Sequence, residues 1–223
     1  MGRHARQIGH VERFNPALLA AEEYLDHPLF IESHRIAPFV PRSIDVAVVL
    51  DLMIHDVDLV CGLVDKPIRD IAAAGIPVLT PTVDIANARL TFEGGPVANL
   101  TASRVSLERM RKLRIFQRSG YLSLNLADGT GEFLRLKEEL PILPGRAEMP
   151  EGALAEGIAS IVDRIPLAGE RVEPLRRELE SFRDACLGRR DPAVSGVDGR
   201  EALSVTLSIE ERIRSHVAHS HSA

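Results

Sequence analysis

The segment VVLDLMIHDVDLVCGLV, residues 48–64, limits what this chain can fold into more than any other stretch. Val46, Val49, Leu50, Met53, Ile54, Val57, Val60, Cys61 and Val64 recur at the spacing of one helix face. Val48, Leu52 and Leu59 extend the apolar surface around the cylinder, so the helix is expected to be packed on most sides. Yet the segment also carries Asp51, His55, Asp56 and Asp58. Asp51, His55 and Asp58 fall at i, i+4 and i+7 and form one polar stripe. An unpaired carboxylate in such a place costs several kcal/mol or is neutralised, so the stripe needs a satisfying network or a ligand.

Three chemistries fit the stripe. Asp51 and His55 can pair with each other while Asp58 binds loop backbone. His55 can be a general base whose second ring nitrogen is held by a carboxylate, which fixes its tautomer and raises its basicity. Asp51 and His55 can supply two metal ligands, but no third ligand stands out and no metal site is read.

The remaining pattern predicts a mixed fold. Residues 5–14 read as a strand leading into a loop. Residues 15–25 read as a helix with Asn15 as cap and Pro16 in its first turn. Residues 29–37 alternate and predict a strand. A Pro-rich loop then feeds a helix over residues 45–64, with Ser43 or Asp45 as cap. Further strands are predicted over 67–76, 84–92, 97–105, 112–117, 121–126 and, at an edge, 132–137. The pair 84–92 and 97–105 is a hairpin turned by EGGP, with small apolar residues on one face and Asn87, Arg89, Asn99 and Thr101 on the other. That asymmetry predicts helices on one side of the sheet only. Residues 138–172 read as partly looped. Residues 174–187 predict a helix with Leu175, Leu179, Phe182 and Cys186 in one stripe, and a last helix covers 199–217.

Composition narrows the function classes. The chain has 223 residues, 27 Lys and Arg against 32 Asp and Glu, and a net charge of −5. That balance argues against a dedicated nucleic-acid binder. The basic cluster over residues 104–118 reads as a solvated or subunit-facing surface. No run of about 18 apolar residues is present, so no membrane span is expected. Cys61 and Cys186 are expected to be buried free thiols in a reducing compartment, and the opening MGRHARQIGH has no apolar core of a secretory leader. The expectation is a cytoplasmic protein. The histidines of the tail HVAHSHSA read as a frayed terminus.

The blocks GHVERFNPALLAA, FIESHRIAPF, DLMIHDVDLV, VDIANARLTFEGGPVANLTASR and ELESFRDACLGRRDPAVSGVDGREAL, in that order, closely resemble the carboxy-terminal part of the Gfo/Idh/MocA oxidoreductases. The resemblance covers nearly the whole chain. It implies an α+β domain with a large, mostly antiparallel open sheet, helices on one face that build a substrate site, and an outer face that packs on another subunit. Residues 1–14 would be a remnant last strand of a nucleotide-binding domain, and residues 15–223 the substrate and oligomerisation domain. The resemblance implies that His55 takes a proton from a sugar hydroxyl as hydride leaves for a nicotinamide, with Asp51 orienting it. Arg13 and Asn15 would lie near the junction of cofactor and substrate. Within the family the wording is most similar to bacterial members acting on UDP-N-acetylglucosamine, which oxidise its 3-hydroxyl on a route to modified lipid A. His34, Arg35, Arg42 and Asp58 would then contact the sugar or its diphosphate.

The chain departs from the family at the cofactor. A dinucleotide fingerprint needs Gly-x-Gly-x-x-Gly after a strand, with an acidic residue about 20 positions later, and none occurs. The family's Glu-Lys-Pro motif is also absent. The complete enzyme would use NAD or NADP, but this chain is expected to bind neither well. A fragment of an intact enzyme is the favoured explanation, ahead of a nucleotide-binding domain on a separate chain. A non-catalytic sugar-binding or oligomerisation module is the alternative.

Overall fold

A computed structural model describes residues 5–41, 44–137, 161–170 and 172–220, with side chains described as far as residue 215. The chain builds an eight-stranded sheet in the order β2-β3-β4-β1-β5-β6-β7-β8. Its strands are β1 (Phe30–Pro38), β2 (Ile68–Ile76), β3 (Ile85–Phe92), β4 (Val97–Ser106), β5 (Met110–Gln117), β6 (Gly120–Asn125), β7 (Thr130–Leu136) and β8 (Val162–Ala168). Among the described strands only the β1/β4 pair is parallel. The mostly antiparallel α+β architecture is the expected one.

The period of two explains which face is covered. Ala86, Ala88, Leu90 and Phe92 of β3 are buried, as are Ala98, Leu100 and Ala102 of β4. In register with them lie Ile31, Ser33 and Arg35 of β1 and Leu113 and Ile115 of β5. Against this face pack α1 (Pro16–Ala21), α2 (Val49–Val64) and α4 (Gly196–Ser220). The small residues of β3 and β4 let the helices approach closely. The opposite face carries Asn87, bonded to Thr101, and Arg89, bonded to Asn99, beside an aromatic run of Phe30, Phe116 and Tyr121. At the 92–97 turn Gly94 and Gly95 take positive φ of 78° and 105°, which a side chain would resist.

The helix predicted over 45–64 begins later. Its first residues, Val49–Met53, form a π-helical turn, and Ile54–Val64 are α-helical. Asp45 is exposed and does not cap it, because the helix starts four residues further on, at Val49; Ser43 lies outside the described residues. The helix ends at Asp65 in a left-handed conformation, with Pro67 just beyond to block continuation. Asn15 caps α1 as expected, its side-chain oxygen accepting from the Ala17 N–H.

Four expectations change. Residues 5–14 are not a strand: 5–10 are irregular and Val11–Phe14 form a 3-10 turn. Among the described residues no strand pairs with them; the Ile8 N–H bonds instead to the Val194 carbonyl and the Gln7 amide to the Glu178 carbonyl. β7 is not an edge, because β8, which falls within the stretch read as partly looped, pairs along it. β8 was hidden by Pro166, which an edge strand tolerates. The stripe Leu175, Leu179 and Phe182 on α3 (Pro174–Cys186) faces outward, with Leu179 59% exposed; Ser181 and Ala185 are the buried residues. Cys186 is consequently exposed, while Cys61 is half-buried and also free. The tail histidines lie outside the described side chains. No helix among the described residues is long and apolar enough to cross a membrane.

Candidate active site

The 3-10 turn Val11–Phe14 packs against α2, and ion pairs tie the two together at two points. Arg13 donates from Nε and Nη2 to the two carboxylate oxygens of Asp58, at 2.7 and 2.9 Å. Asp58 is 1% exposed, so this fork satisfies a carboxylate that would otherwise be stranded. The hydrogen bond to Asp58, outweighing burial, raises the Arg13 pKa. The pair lines a cavity of about 490 Å³ with Cys61, Lys66, Asp198 and Glu201. Burial, with Glu201 and Asp58 nearby, pushes the Cys61 thiol up to about 12.

The second tie is a charge knot under the helices. Arg35 points inward from β1 and donates from Nε and Nη2 to Asp56 at 2.8 and 2.9 Å, and from Nη1 to Glu12 at 2.9 Å. Arg111, its cross-strand neighbour on β5, donates to the same Glu12 oxygen at 3.2 Å. Two like charges directly opposite on adjacent strands repel, and the Glu12 carboxylate between them offsets that. Asn15 adds a bond to Glu12 and another to the Leu126 carbonyl. Burial alone would raise the Glu12 pKa, but Arg35, Asn15 and Arg111 together hold it below its ordinary value. Burial would likewise lower Arg35, and Asp56 and Glu12 overcome it and raise it.

His55 stands beside this knot, half-buried. Its Nδ1 is buried and has no hydrogen-bond partner. Burial lowers the His55 pKa; Arg35 and His10 lower it further, against the opposing pull of Asp56 and Glu12. Asp51 is half-buried in the π-helical turn and makes no hydrogen bond to His55. The imidazole therefore meets His10 and the Arg35 knot, and the carboxylate expected to orient it is not bonded to it. An uncharged imidazole next to solvent can accept a proton from a hydroxyl.

The structure brings together Arg13, Asn15, Arg35, His55 and Asp58 and separates His34. His34 and Arg35 are successive strand residues and project to opposite faces, so His34 lies on the outer face, level with Thr101 and Lys112. Arg42 lies outside the described residues. Asn15 and Arg35 are buried with their polar atoms engaged in the fold. Glu12, Asp56 and His10 are the members that the sequence reading missed as site residues. Asp56 shares a helix face with Met53 and Val60, and a carboxylate on that face is the signal that a buried cation must meet it.

Among the described residues no group of three His, Cys, Asp or Glu is placed to hold a metal. A dinucleotide pyrophosphate needs glycine-rich backbone at a strand-to-helix turn; the β1-to-α2 connection, residues 39–48, contains no glycine.

Residues 33–123 match the GFO/IDH/MocA C-terminal domain family. The matched segment runs from β1 into β6, and the sheet and helices have the fold of a Gfo/Idh/MocA carboxy-terminal domain. It is 34% identical over 209 residues to UDP-N-acetylglucosamine 3-dehydrogenase of Acidithiobacillus ferrooxidans, spanning 91% of this chain and 60% of that protein. The solved structure of that enzyme superposes with a TM-score of 0.79 at 32% identity, over 93% of this chain and 62% of the other. Scyllo-inositol dehydrogenase from Lactobacillus casei shares the fold at a TM-score of 0.65 and 17% identity, over 95% and 63% of the two chains. The chain thus spans about three fifths of the length of these relatives.

Proposed function

We propose that this domain binds a nucleotide sugar, with UDP-N-acetylglucosamine as the first candidate, and that His55 accepts the proton of a sugar hydroxyl during its oxidation by NAD or NADP. The observation that carries the reading is the 34% identity to a UDP-N-acetylglucosamine 3-dehydrogenase, taken together with the half-buried His55 beside the Arg35 knot. The nicotinamide cofactor supplies the hydride acceptor. It would belong to a nucleotide-binding domain joined to this one. The outward stripe of Leu175, Leu179 and Phe182 is a surface on which such a domain would pack. Arg35 and Asn15 act by positioning, and Arg13 and Asp58 wall the adjacent cavity.

The test joins residues 5–223 to the nucleotide-binding domain of the Acidithiobacillus enzyme and follows NAD or NADP reduction with UDP-N-acetylglucosamine. His55→Ala should lower turnover by roughly 10²–10⁴, the usual share of general acid–base catalysis. Turnover that survives this change rejects His55 as the base.

The outer sheet face favours a second role as a contact between copies of the chain. It combines hydrogen-bonded Asn87, Thr101, Arg89 and Asn99 with the Phe30–Phe116–Tyr121 run, a polar and aromatic mixture typical of interfaces. Arg89→Glu or Thr101→Glu should reduce the sedimenting mass; an unchanged mass excludes this face.

A further inference from the structure

His10 precedes the turn that carries Glu12 and Arg13, and no role above requires it to be a histidine. It is 5% exposed, and its Nδ1, like that of His55, is buried without a partner. Its ring meets the His55 ring edge to face, with centroids 5.8 Å apart and planes at 86°. If the position needed only volume, phenylalanine would fill it without leaving a polar atom unpaired.

The contact is held from both sides. Arg13 bonds to Asp58, one helical turn beyond His55, and Glu12 reaches through Arg35 to Asp56, the residue next to it. These ties fix the turn on α2 and leave the two imidazoles little freedom to part. We propose that His10 is a positioning residue for His55, setting the orientation and the protonation of its imidazole through the edge-to-face contact. This inference rests on the reading of His55 as the proton acceptor, and it moves the orienting part from Asp51 to His10.

The charges around the pair give the direction. Arg35 from β1 faces His55 along with His10, and each opposes a proton there; Asp56 on α2 and Glu12 on the 3-10 turn favour one, and burial opposes it most. A proton on His10 would place a like charge in ring contact with His55, so replacing His10 with a neutral group makes His55 easier to protonate.

The test is an imidazole nitrogen NMR titration of this chain, which reads His55 without substrate or cofactor. His10→Gln should raise the His55 midpoint by about one pH unit, the order of effect of one nearby like charge. His10→Phe keeps the ring contact and cannot carry a proton, so the His55 midpoint should rise as well, and it serves if the glutamine variant does not fold. His34→Gln, on the outer face, should leave His55 unmoved. An unmoved midpoint in a folded His10 variant, or an equal shift in His34→Gln, overturns the inference. If His10→Gln shifts the midpoint but His55→Ala retains turnover in the two-domain protein, the base assignment fails and the pairing stands.

Discussion

Replacing Arg35 with methionine tests whether the charge knot is the support on which His55 depends. Methionine keeps much of the buried length but removes three charge-assisted bonds, two to Asp56 and one to Glu12. Glu12 retains Asn15 and Arg111, whereas Asp56, 2% exposed, loses both of its side-chain hydrogen bonds. Stranding one buried charge costs about 3–5 kcal/mol. For a chain of this size that corresponds to a fall in Tm of roughly 6–20 °C. Calorimetry and urea unfolding measure it. Adding Asp56→Asn to Arg35→Met should recover a large part of the loss, because most of it is the uncompensated carboxylate. Arg35→Lys should fall between, since it keeps the charge but not the planar fork.

The pH dependence carries a sign. Glu12 is held below its ordinary carboxylate value, so its contribution is present above the unfolded pKa near 4 and is lost as pH falls towards the folded value. Removing Arg35 takes away its largest favourable partner, and the acid unfolding limb should move to higher pH. A loss below about 1 kcal/mol, or no recovery on adding Asp56→Asn, would show that solvent and not Arg35 satisfies these carboxylates, and the positioning argument would fall.

Other changes follow from the same reasoning. Asp84 accepts the backbone N–H groups of Val78, Leu79 and Thr80, the Thr80 hydroxyl and Arg104 Nε, so Asp84→Asn should cost about 3–5 kcal/mol by urea unfolding. Burial raises the Asp84 pKa, but those donors overcome it and hold it well below the carboxylate range; its contribution is present above about pH 4 and lost below, so the variant should also flatten the acid limb. At pH 8 a thiol reagent should label the exposed Cys186 within minutes and reach Cys61 only on unfolding, as the latter is half-buried and its thiol pKa is pushed up to about 12. Equal labelling rates in the folded protein would contradict the Cys61 environment described above.

Much of this fold was legible because its periods are clean. The alternation of Ala86, Ala88, Leu90 and Phe92 with Asn87, Arg89 and Thr91 could only be a sheet with one covered face. The helix that carries His55 was equally plain, although its π-helical start was not, since a widened turn leaves no mark on an apolar pattern. The outward stripe of α3 was misread for a physical reason: periodicity reports that a face is apolar, not which surface will cover it. Leu175, Leu179 and Phe182 carry the signature of burial without a partner among the described residues. β8 failed the opposite way, because an edge strand needs hydrogen bonds more than it needs apolar residues.

The site itself was half legible, and parity shows where the other half lay. On β1, Ile31 and Ser33 face inward, so Arg35 must also face inward and His34 must not. On α2, Met53 and Val60 fix the buried face, and Asp56 sits between them. A guanidinium from the sheet and a carboxylate from the helix, each in an apolar setting, have to meet. The same need for a partner ties Glu12 to Arg35 and Arg13 to Asp58. What spacing along one helix could not reveal is the His10 contact, because it joins residues 45 positions apart and is made by a turn that fits no periodic pattern. The reading of Asp51 as the partner of His55 came from proximity along the chain. In the structure the ring that meets His55 is His10, on a turn held to the helix by two ion-pair ties, which is why a change at position 10, and not at 51, should move the titration of His55.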